Sequence, residues 1–360
     1  MKKKTVGMLV CTMLIAAAVL PVTGTFEINR KSAIGFRFKS FLNPQPSYVP
    51  VDIDLEDAAF HRSYDRFLEE WWYFEAIFDN GYSIVLSIVI FSKGFHGICS
   101  AGMVIYNNTQ LEFQFGKKAP FKEFNASEEF PFINVSGKQI IRLDRERYNN
   151  TGEWVYNVSF EFDNQKANLQ FTGVTKGFKA EILKGWYSPV LPKATVNGTL
   201  ILNGDKIDVS GLGYHEHAWE IAILIREWGW YWSKIVSDSY ILMWAKLMNT
   251  RWGEQTRTAV FSQDQAGYIN INPENFKLKA TKYVFDNRRL IPTKFILNIT
   301  DSENSIYINA TIEVMNTHHY GKLIVHYWRY HLKINGEITY RSTTEKIKDQ
   351  IQIMELIRFR

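Results

Sequence analysis

Apolar and polar residues alternate along most of the chain after residue 50, which is the pattern of half-buried β-strands. Asn-Gly dipeptides interrupt this alternation at Asn80-Gly81, Asn203-Gly204 and Asn335-Gly336. A type I′ hairpin turn needs positive φ at both central residues, which Asn and Gly adopt readily, so each dipeptide predicts a hairpin. Residues 342–360 fit a helix and a final strand pair equally well. We therefore predict a mostly β protein built of antiparallel barrels or sandwiches.

The length of the chain, 360 residues, suits two consecutive β-barrels of similar size. We expect an N-terminal barrel over residues 51–200 and a C-terminal barrel over residues 201–360. Residues 25–50 end in a proline-rich stretch and are expected to form a linker. Aromatic residues make up 15% of the sequence, which suits pleated sheets with large apolar contacts.

The first 24 residues have the features of a targeting segment. The lysines from Lys2 to Lys4 precede an apolar run, and Val22-Thr23-Gly24 at its end fits a small-residue cleavage site. Residues 1–24 are thus a cleaved signal peptide or, if they are retained, a membrane anchor. Both alternatives predict an extracytoplasmic protein, either secreted or anchored to the outer face of the cell membrane.

Asn-x-Ser/Thr sequons support the same location, because such sites receive glycans in secreted proteins. They begin at Asn107, Asn125, Asn134, Asn149, Asn157, Asn197, Asn298 and Asn309. In the alternating run from Trp154 to Phe160 the pattern turns Asn157 outward, as a glycan requires. We predict a glycoprotein, and the alternative is an Asn-rich chain with accidental sequons.

Charge and motif content exclude several functions. The formal net charge is +5, and the first lysine cluster supplies three of these charges, so nothing favours a nucleic-acid partner. The sequence has no Walker loop, dinucleotide fingerprint or Cys-x-x-Cys pair, and we expect no cofactor. Cys99 fits a small buried apolar residue.

One strand concentrates residues that can carry chemistry. In the run from Gly211 to Glu220, alternation places His215, His217 and Trp219 on one face, and Gly211 and Gly213 leave room beside them. Two other stretches also place aromatic side chains on one face. The first stretch places Trp72 and Phe74 on one face with Glu70 beside them, and the second places Trp228, Trp230 and Trp232 on one face.

These stretches resemble motifs of the carotenoid 1,2-hydratase and AttH-like family, and the resemblance implies that such a site could hydrate an isolated C=C bond without a cofactor. The reaction needs an acid that protonates the bond to a carbocation, and indole faces that stabilise the cation by about 1–2 kcal/mol each. This hypothesis makes His217 the acid or water-positioning group and His215 its partner. Tyr214 would donate a hydrogen bond, and Trp219 would stabilise the cation.

Two other interpretations of the same strand stay open. The histidines could be core residues satisfied by hydrogen bonds, and the tryptophans could be barrel core. Alternatively, His215 and His217 could bind a metal with a distant third ligand from His318, His319 or His326. No spacing recommends any of these three, and His318-His319 fits a polar surface turn, so we predict no metal site.

The motifs Glu70-Trp71-Trp72-Tyr73, Gly213-Tyr214-His215-Glu216-His217-Ala218-Trp219 and Trp230-Tyr231-Trp232 resemble signatures of the carotenoid 1,2-hydratase (hydroxyneurosporene synthase) and AttH-like family. The resemblance implies two lipocalin-like barrels and an apolar isoprenoid or polyene ligand. The candidate ligand-binding residues are Glu70, Trp72, Tyr73, Trp228, Trp230, Trp232 and Trp244.

The sequence departs from the family pattern at several positions. Glu216, Ala218 and Glu220 replace Asp, Asn and Gly, while Trp244 and Lys246 stand near the positions where hydratases carry Tyr and Asp. If the Asp is the proton donor, carotenoid hydration itself is in question. The leading hypothesis is a lipocalin-like protein that binds an apolar small molecule or lipid, with a membrane surface as a further partner, and hydrates or isomerises its ligand. The alternatives are a non-enzymatic lipid carrier and a glycosylated surface protein whose pocket is filled.

Overall fold

The computed structural model describes residues 49–359 except 184–185, 222–227, 250–252 and 322–324. Strands dominate these residues and form two antiparallel sheets. The first sheet contains β1 (Leu68–Phe78), β2 (Tyr82–Lys93), β3 (His96–Asn107), β4 (Gln110–Pro120), β5 (Phe124–Ala126), β6 (Phe132–Val135), β7 (Lys138–Leu143), β8 (Val155–Phe162), β9 (Gln165–Gly173), β10 (Phe178–Leu183), β11 (Trp186–Leu202) and β12 (Asp205–Ile221). The second sheet contains β13 (Trp228–Val236), β14 (Tyr240–Asn249), β15 (Gly253–Gln263), β16 (Tyr268–Ile271), β17 (Phe276–Asp286), β18 (Arg289–Asp301), β19 (Ile306–Tyr320), β20 (Val325–Tyr340) and β21 (Thr343–Phe359).

The first sheet curls into a nearly closed barrel and the second into a half-barrel, which confirms the predicted mostly β fold with two consecutive barrels. The strand order of the first sheet is β4-β3-β2-β1-β12-β11-β9-β8-β7-β6-β5, with β10 paired to β11. The order of the second is β16-β15-β14-β13-β21-β20-β19-β18-β17. Residues 342–360 therefore contribute a strand, β21, and not a helix.

Helices are short within the described residues. Helix α1 (Arg145–Thr151) joins β7 to β8; the Asp144 side chain accepts from the backbone N of Arg147 at its start, and Gly152 ends it at φ 74°. Three single 3₁₀ turns cover Phe121–Glu123, Asp264–Ala266 and Pro273–Asn275. In the part of the chain that the structure covers, no helix has the length and apolar character needed to cross a bilayer.

The predicted boundary between residues 200 and 201 falls inside β11. Residues Gly211–Ile221 of β12 pair with the whole of β1, so the His-x-His-x-Trp strand belongs to the first sheet and not to the C-terminal barrel. Asn203-Gly204 is the hairpin turn between β11 and β12, with Leu202 paired to Asp205. The predicted boundary came from dividing the chain into two barrels of similar size, and chain length does not show which strands pair.

The Asn-Gly prediction is confirmed at Asn80-Gly81 and Asn203-Gly204 and is wrong at Asn335-Gly336. The last pair lies inside β20, where the register shifts, and the chain turns only after Tyr340. A Cβ on Gly336 would lie 2.2 Å from the carbonyl oxygen of Asn309, so this glycine allows β19 to approach closely. His318 and His319 likewise lie on strand β19 and not in a surface turn.

Large side chains fill the interior of each sheet. Trp72, Phe74 and Phe171 are among the buried residues of the first barrel, and Trp244 and Trp328 lie in the core of the second. Cys99 is fully buried, as predicted, and burial raises the pKa of its thiol to about 12. The eight sequon asparagines are all exposed or half-buried. Glycosylation remains a prediction that this geometry permits.

Candidate functional site

The candidate site is built where β1 and β12 run side by side. Glu70 pairs with Trp219, Trp72 with His217, and Phe74 with His215, so each pair shares one face of the sheet. His215 and His217 are buried at 3% and 1% exposure. The predicted inward alternation of this strand is therefore confirmed.

A buried carboxyl group joins two imidazoles. Glu70 Oε1 lies 2.7 Å from His217 Nε2 and 3.1 Å from His61 Nδ1. The backbone N of His61 also donates to both carboxyl oxygens, at 3.0 and 3.2 Å. His217 Nδ1 lies 3.0 Å from the carbonyl oxygen of Asp57, which can only accept. Nδ1 therefore carries a proton in this arrangement, and Nε2 is left to share the proton of Glu70.

Burial sets the protonation of this group. It raises the pKa of Glu70 to about 7 and lowers the pKa of His217 to about 3. Burial also lowers the pKa of His61. The hydrogen bond to Glu70 and the charge of that carboxyl raise this pKa, but burial has the larger effect. The imidazoles are therefore neutral near pH 7, and Glu70 is poised between its two protonation states. A carboxyl tuned to neutral pH is a suitable acid–base group.

Aromatic rings fix the orientation of both imidazoles. His61 stacks on Trp219 with ring centroids 3.6 Å apart and an interplanar angle of 13°. His217 stacks on Trp72 at 4.6 Å and 7°, and Tyr187 lies against the Trp219 ring at 5.4 Å. The His61 side chain is 26% exposed, whereas Glu70 and His217 are almost completely buried. A ligand approaching this end of the barrel would meet His61 and Trp219.

The segment before β1 carries His61 to the barrel end. Its first residues pair with β10 through the backbone of Val51, and Asp57 forms an ion pair with Lys179. Phe60 is buried, and its backbone N donates to the carbonyl of Ser127 at 2.9 Å. These anchors place the Asp57 carbonyl against His217 and the His61 ring against Glu70.

His215 occupies a packed position deeper in the barrel. Its ring stacks on Phe74 at 3.9 Å and lies 4.6 Å from Tyr156, and its Nδ1 is 3.0 Å from the Tyr73 carbonyl. Burial lowers its pKa to about 3. A cavity of about 10 Å³ lies beside His215 and His217, which is room for about one water molecule. The broad apolar hollow assumed in the hydration hypothesis is not found beside His215.

Tyr214 lies on the opposite face from the imidazoles, because adjacent strand residues point to opposite sides. Its hydroxyl donates to Glu216 Oε2 at 2.7 Å, and Trp71 Nε1 donates to the other oxygen at 3.1 Å. Burial raises the pKa of Glu216 to about 7. The structure therefore brings Trp219 close to His217 but separates Tyr214 from both.

The predicted ligand-binding residues fall in three different places. Glu70 and Trp72 belong to the cluster in the first barrel. Tyr73 lies on the other face of β1, where its hydroxyl donates to Glu75 at 2.8 Å. Trp230 and Trp232 lie on β13 between the sheets, and the Trp232 ring is 4.6 Å from the Tyr214 ring. Trp244 is 1% exposed in the second core, and the Trp228 side chain lies outside the described residues. The three groups do not form one ligand wall.

The two glycines beside the histidines do not leave room for a ligand. A Cβ on Gly213 would lie 2.5 Å from Val196 Cγ2 and 2.7 Å from Phe171 Cε1. A Cβ on Gly211 would lie 2.1 Å from the carbonyl oxygen of Ile77. The expectation was wrong because neighbouring strands and side chains take the space.

A second place with buried charge lies between the sheets. A cavity of about 150 Å³ is lined there by Glu75, Lys193, Lys234 and Gln352, among others. Lys234 and Glu75 form a buried ion pair, and burial lowers the pKa of Lys234 to about 7. Lys193 Nζ donates to the backbone carbonyls of Ser237 and Asp238. These contacts join the two sheets.

Three residues of the first cluster could also hold a metal. Ligand atoms of His61, Glu70 and His217 lie within 4.8 Å of one another. The three histidines considered as a third ligand to His215 and His217 lie on the second sheet. There His318 is hydrogen-bonded to the hydroxyl of Tyr106 on β3, and His319 Nε2 lies 3.2 Å from His326 Nδ1. In the structure the ligand atoms of the first cluster are engaged in hydrogen bonds with one another.

Sequence reasoning found Glu70, His217 and Trp219 but missed His61. The motif around Glu70 and the strand around His217 are both visible in the sequence, and their pairing would have joined them. His61 lies in an irregular segment with no periodicity, so no sequence pattern pointed to it.

No protein-family profile matches the sequence, and no curated protein sequence matches it either. Among solved structures, a proposed AttH protein from Nitrosomonas europaea is similar at a TM-score of 0.57 and 14% identity, over 92% of this chain and 98% of that one. Kievitone hydratase from Nectria haematococca is similar at 0.53 and 12%, over 81% and 88%. CghA with Sch210972 is similar at 0.55 and 8%, over 88% and 99%.

The chain has their fold. At these identities the likeness concerns the fold alone, and it agrees with the two consecutive β-barrels that the sequence predicted.

Proposed function

We propose that the protein is an acid–base enzyme, a hydratase or isomerase, that acts on an apolar unsaturated ligand at the end of the first barrel. One observation carries the proposal: the buried Glu70 carboxyl is bonded to His61, whose ring is partly exposed and stacked on Trp219. One of the similar structures is named a hydratase, which supports the reaction class.

The contacts support a proton relay from Glu70 to the ligand. When Glu70 is protonated, its proton moves to His61 Nδ1 while the Nε2 proton of His61 moves to one carbon of a C=C bond. The π electrons form the new C–H bond, the other carbon becomes a carbocation, and Glu70 is left ionised. The cation forms beside the aromatic rings of Trp219 and Tyr187, and a ring face that it contacts stabilises it by about 1–2 kcal/mol when desolvated.

The cation then has two outcomes. Addition of water, followed by return of its proton through His61 to Glu70, completes a hydration. Loss of a proton from the neighbouring carbon to the same relay completes an isomerisation. Both outcomes regenerate the starting protonation state without a cofactor.

The relay changes the roles assigned from the sequence. His217 orients and shares the proton of Glu70, and Trp219 keeps its cation-stabilising role. His215 and Tyr214 become packing and positioning residues because one is enclosed between rings and the other lies on the opposite face. An isoprenoid or polyene remains the proposed ligand class, from the motif resemblance.

The test is turnover in D₂O. Acyclic isoprenoids and polyenes are incubated with the protein and analysed by mass spectrometry, where hydration adds one D₂O and isomerisation exchanges one carbon-bound hydrogen for deuterium. Glu70→Gln and His61→Phe should each lower the rate on the order of 100-fold or more. His61→Phe keeps a ring against Trp219, so a folded but inactive variant points to the imidazole. Unchanged turnover in both variants would refute the relay.

A second candidate function is a non-enzymatic, extracytoplasmic lipid carrier or a glycosylated surface protein. The small cavity, about 10 Å³, beside His215 and His217 favours the surface protein with a filled pocket over the carrier, which needs room for a lipid. A carrier releases intact lipid on organic extraction and turns over none of the substrates. A surface protein with a filled pocket releases no lipid, and its electrophoretic mobility increases on treatment with a peptide N-glycosidase.

A further inference from the structure

Exposed apolar residues gather at one hairpin end. Strands β17 and β18 meet in the turn from Asp286 to Arg289, and four large apolar side chains beside it are strongly exposed. They are Tyr283 at 51%, Val284 at 45%, Phe285 at 75% and Leu290 at 55%. Single exposed apolar residues are normal on a protein surface, but four at one turn form a patch that needs an explanation.

The geometry makes this patch a projecting tip and not a groove. Tyr283, Val284 and Phe285 are consecutive and point to alternate sides of β17, yet all three are exposed. Phe285 pairs directly with Leu290 across the hairpin, so the two form one apolar end. β17 is also the last strand of its sheet, which leaves one side of the hairpin uncovered by a strand among the described residues.

Basic residues surround the apolar end. Arg288 and Arg289 occupy the turn, and Lys277, Lys279 and Lys282 follow along β17 away from it, with all but the half-buried Arg289 exposed. The acidic residue of the turn, Asp286, accepts a hydrogen bond from Trp328 Nε1 at 2.7 Å. Cationic side chains therefore flank the exposed apolar group on both sides, with Arg288 and Arg289 in the turn and Lys282 along β17.

We propose that this hairpin tip inserts into the surface of a membrane that contains anionic lipids. A convex apolar end enters the boundary between headgroups and acyl chains, while Lys and Arg side chains remain at the level of the anionic headgroups. Long Lys and Arg side chains on either side of an apolar group suit a bilayer surface, because their charged ends reach the headgroups while the apolar group enters the boundary. A protein partner would need a concave apolar site of the same shape with acidic walls.

The test places a polarity-sensitive fluorophore at the tip. Phe285→Cys is labelled in a Cys11→Ser background, where Cys99 is fully buried and escapes labelling. Adding vesicles of phosphatidylcholine with phosphatidylglycerol should shift the emission to the blue and raise it several-fold. Vesicles of phosphatidylcholine alone or high salt should give a smaller change, because salt screens the cationic contribution. The label reports on the tip whether or not the N-terminal segment is attached to a membrane.

The matched control is Tyr307→Cys, another exposed aromatic position, on β19 and 42% exposed. A label there should not respond to either vesicle. Adding Lys282→Glu and Arg288→Glu to the tip variant should remove the preference for anionic lipid. Equal responses at both positions, no response at 285, or a shift that appears with protein concentration in the absence of vesicles would overturn the proposal. The last of these results would indicate a second copy of the chain as the partner.

Discussion

Acid should destabilise the fold, and the buried histidines set the size of the effect. Burial lowers the pKa of His215, His217 and His331 to about 3, from 6.5 in an exposed ring. These rings stay neutral in the folded protein, so the stability that they support is complete above pH 6.5 and is lost as the pH falls towards 3. Each ring contributes a slope of about 1.4 kcal/mol per pH unit to the free energy of unfolding.

Two buried carboxyl groups act in the opposite direction. Burial raises the pKa of Glu70 and Glu216 to about 7, so their contribution to stability is complete below about 4.5 and is lost as the pH rises through 7. Between about 4.5 and 6.5 they offset two of the three histidines. The free energy of unfolding should therefore fall more steeply with decreasing pH below about 4.5 than above it.

His331→Gln isolates the contribution of one histidine to the pH dependence, because His331 lies on β20 of the second sheet and is hydrogen-bonded to Ser83 Oγ at 2.9 Å, not to Glu70. Urea unfolding at a series of pH values between 6 and 4 should show a slope that is smaller by about 1.4 kcal/mol per pH unit than in the parent protein. The lost hydrogen bond lowers all values equally and does not change the slope. Parallel curves for His331→Gln and the parent would refute the reasoning.

Three other predictions test different parts of the structure. Gly213→Ala should cost about 1–3 kcal/mol of unfolding free energy because the new Cβ would meet Val196 and Phe171, while Leu212→Ala, at an exposed position, should cost less than about 0.5 kcal/mol in the same urea assay. Lys234→Met should cost about 3–5 kcal/mol because it leaves Glu75 as a buried unpaired charge, and adding Glu75→Gln should recover most of the loss; a double variant no more stable than the single one would contradict this. Removal of divalent metals with EDTA should leave the thermal midpoint and the D₂O turnover unchanged, and a fall in both that zinc restores would indicate a metal on His61, Glu70 and His217.

The alternation of apolar residues predicted the strand fold well, because side-chain period two is a local property of the sequence. It also predicted that His215 and His217 face inward. It could not show which strands pair, since the partner of β12 is β1, far away in the chain, and not the second barrel. The Asn-Gly signal likewise gave two hairpins correctly but could not distinguish a turn from the bulge at Gly336.

The candidate site was predicted only in part, for the same physical reason. Glu70 and His217 belong to regular strands, so their faces follow from the pattern. His61 and the Asp57 carbonyl reach the site through an irregular segment fixed by tertiary contacts with Lys179 and Ser127. The hollow expected beside the histidines depended on side-chain volumes around Phe74 and Tyr156, which a periodic pattern does not contain.

The pairing of β1 with β12 has a consequence for how the protein forms. The two parts of the first sheet, β1 to β4 and β5 to β12, join only when residues separated by up to 153 positions, Leu68 and Ile221, come together, and such distant contacts are slow to form. During synthesis the edge of β1 waits unpaired until the whole first sheet has been made, which exposes a strand edge to aggregation. Glu70 and His217 meet at that same closure, so acid–base competence would arise only in chains that have completed the barrel.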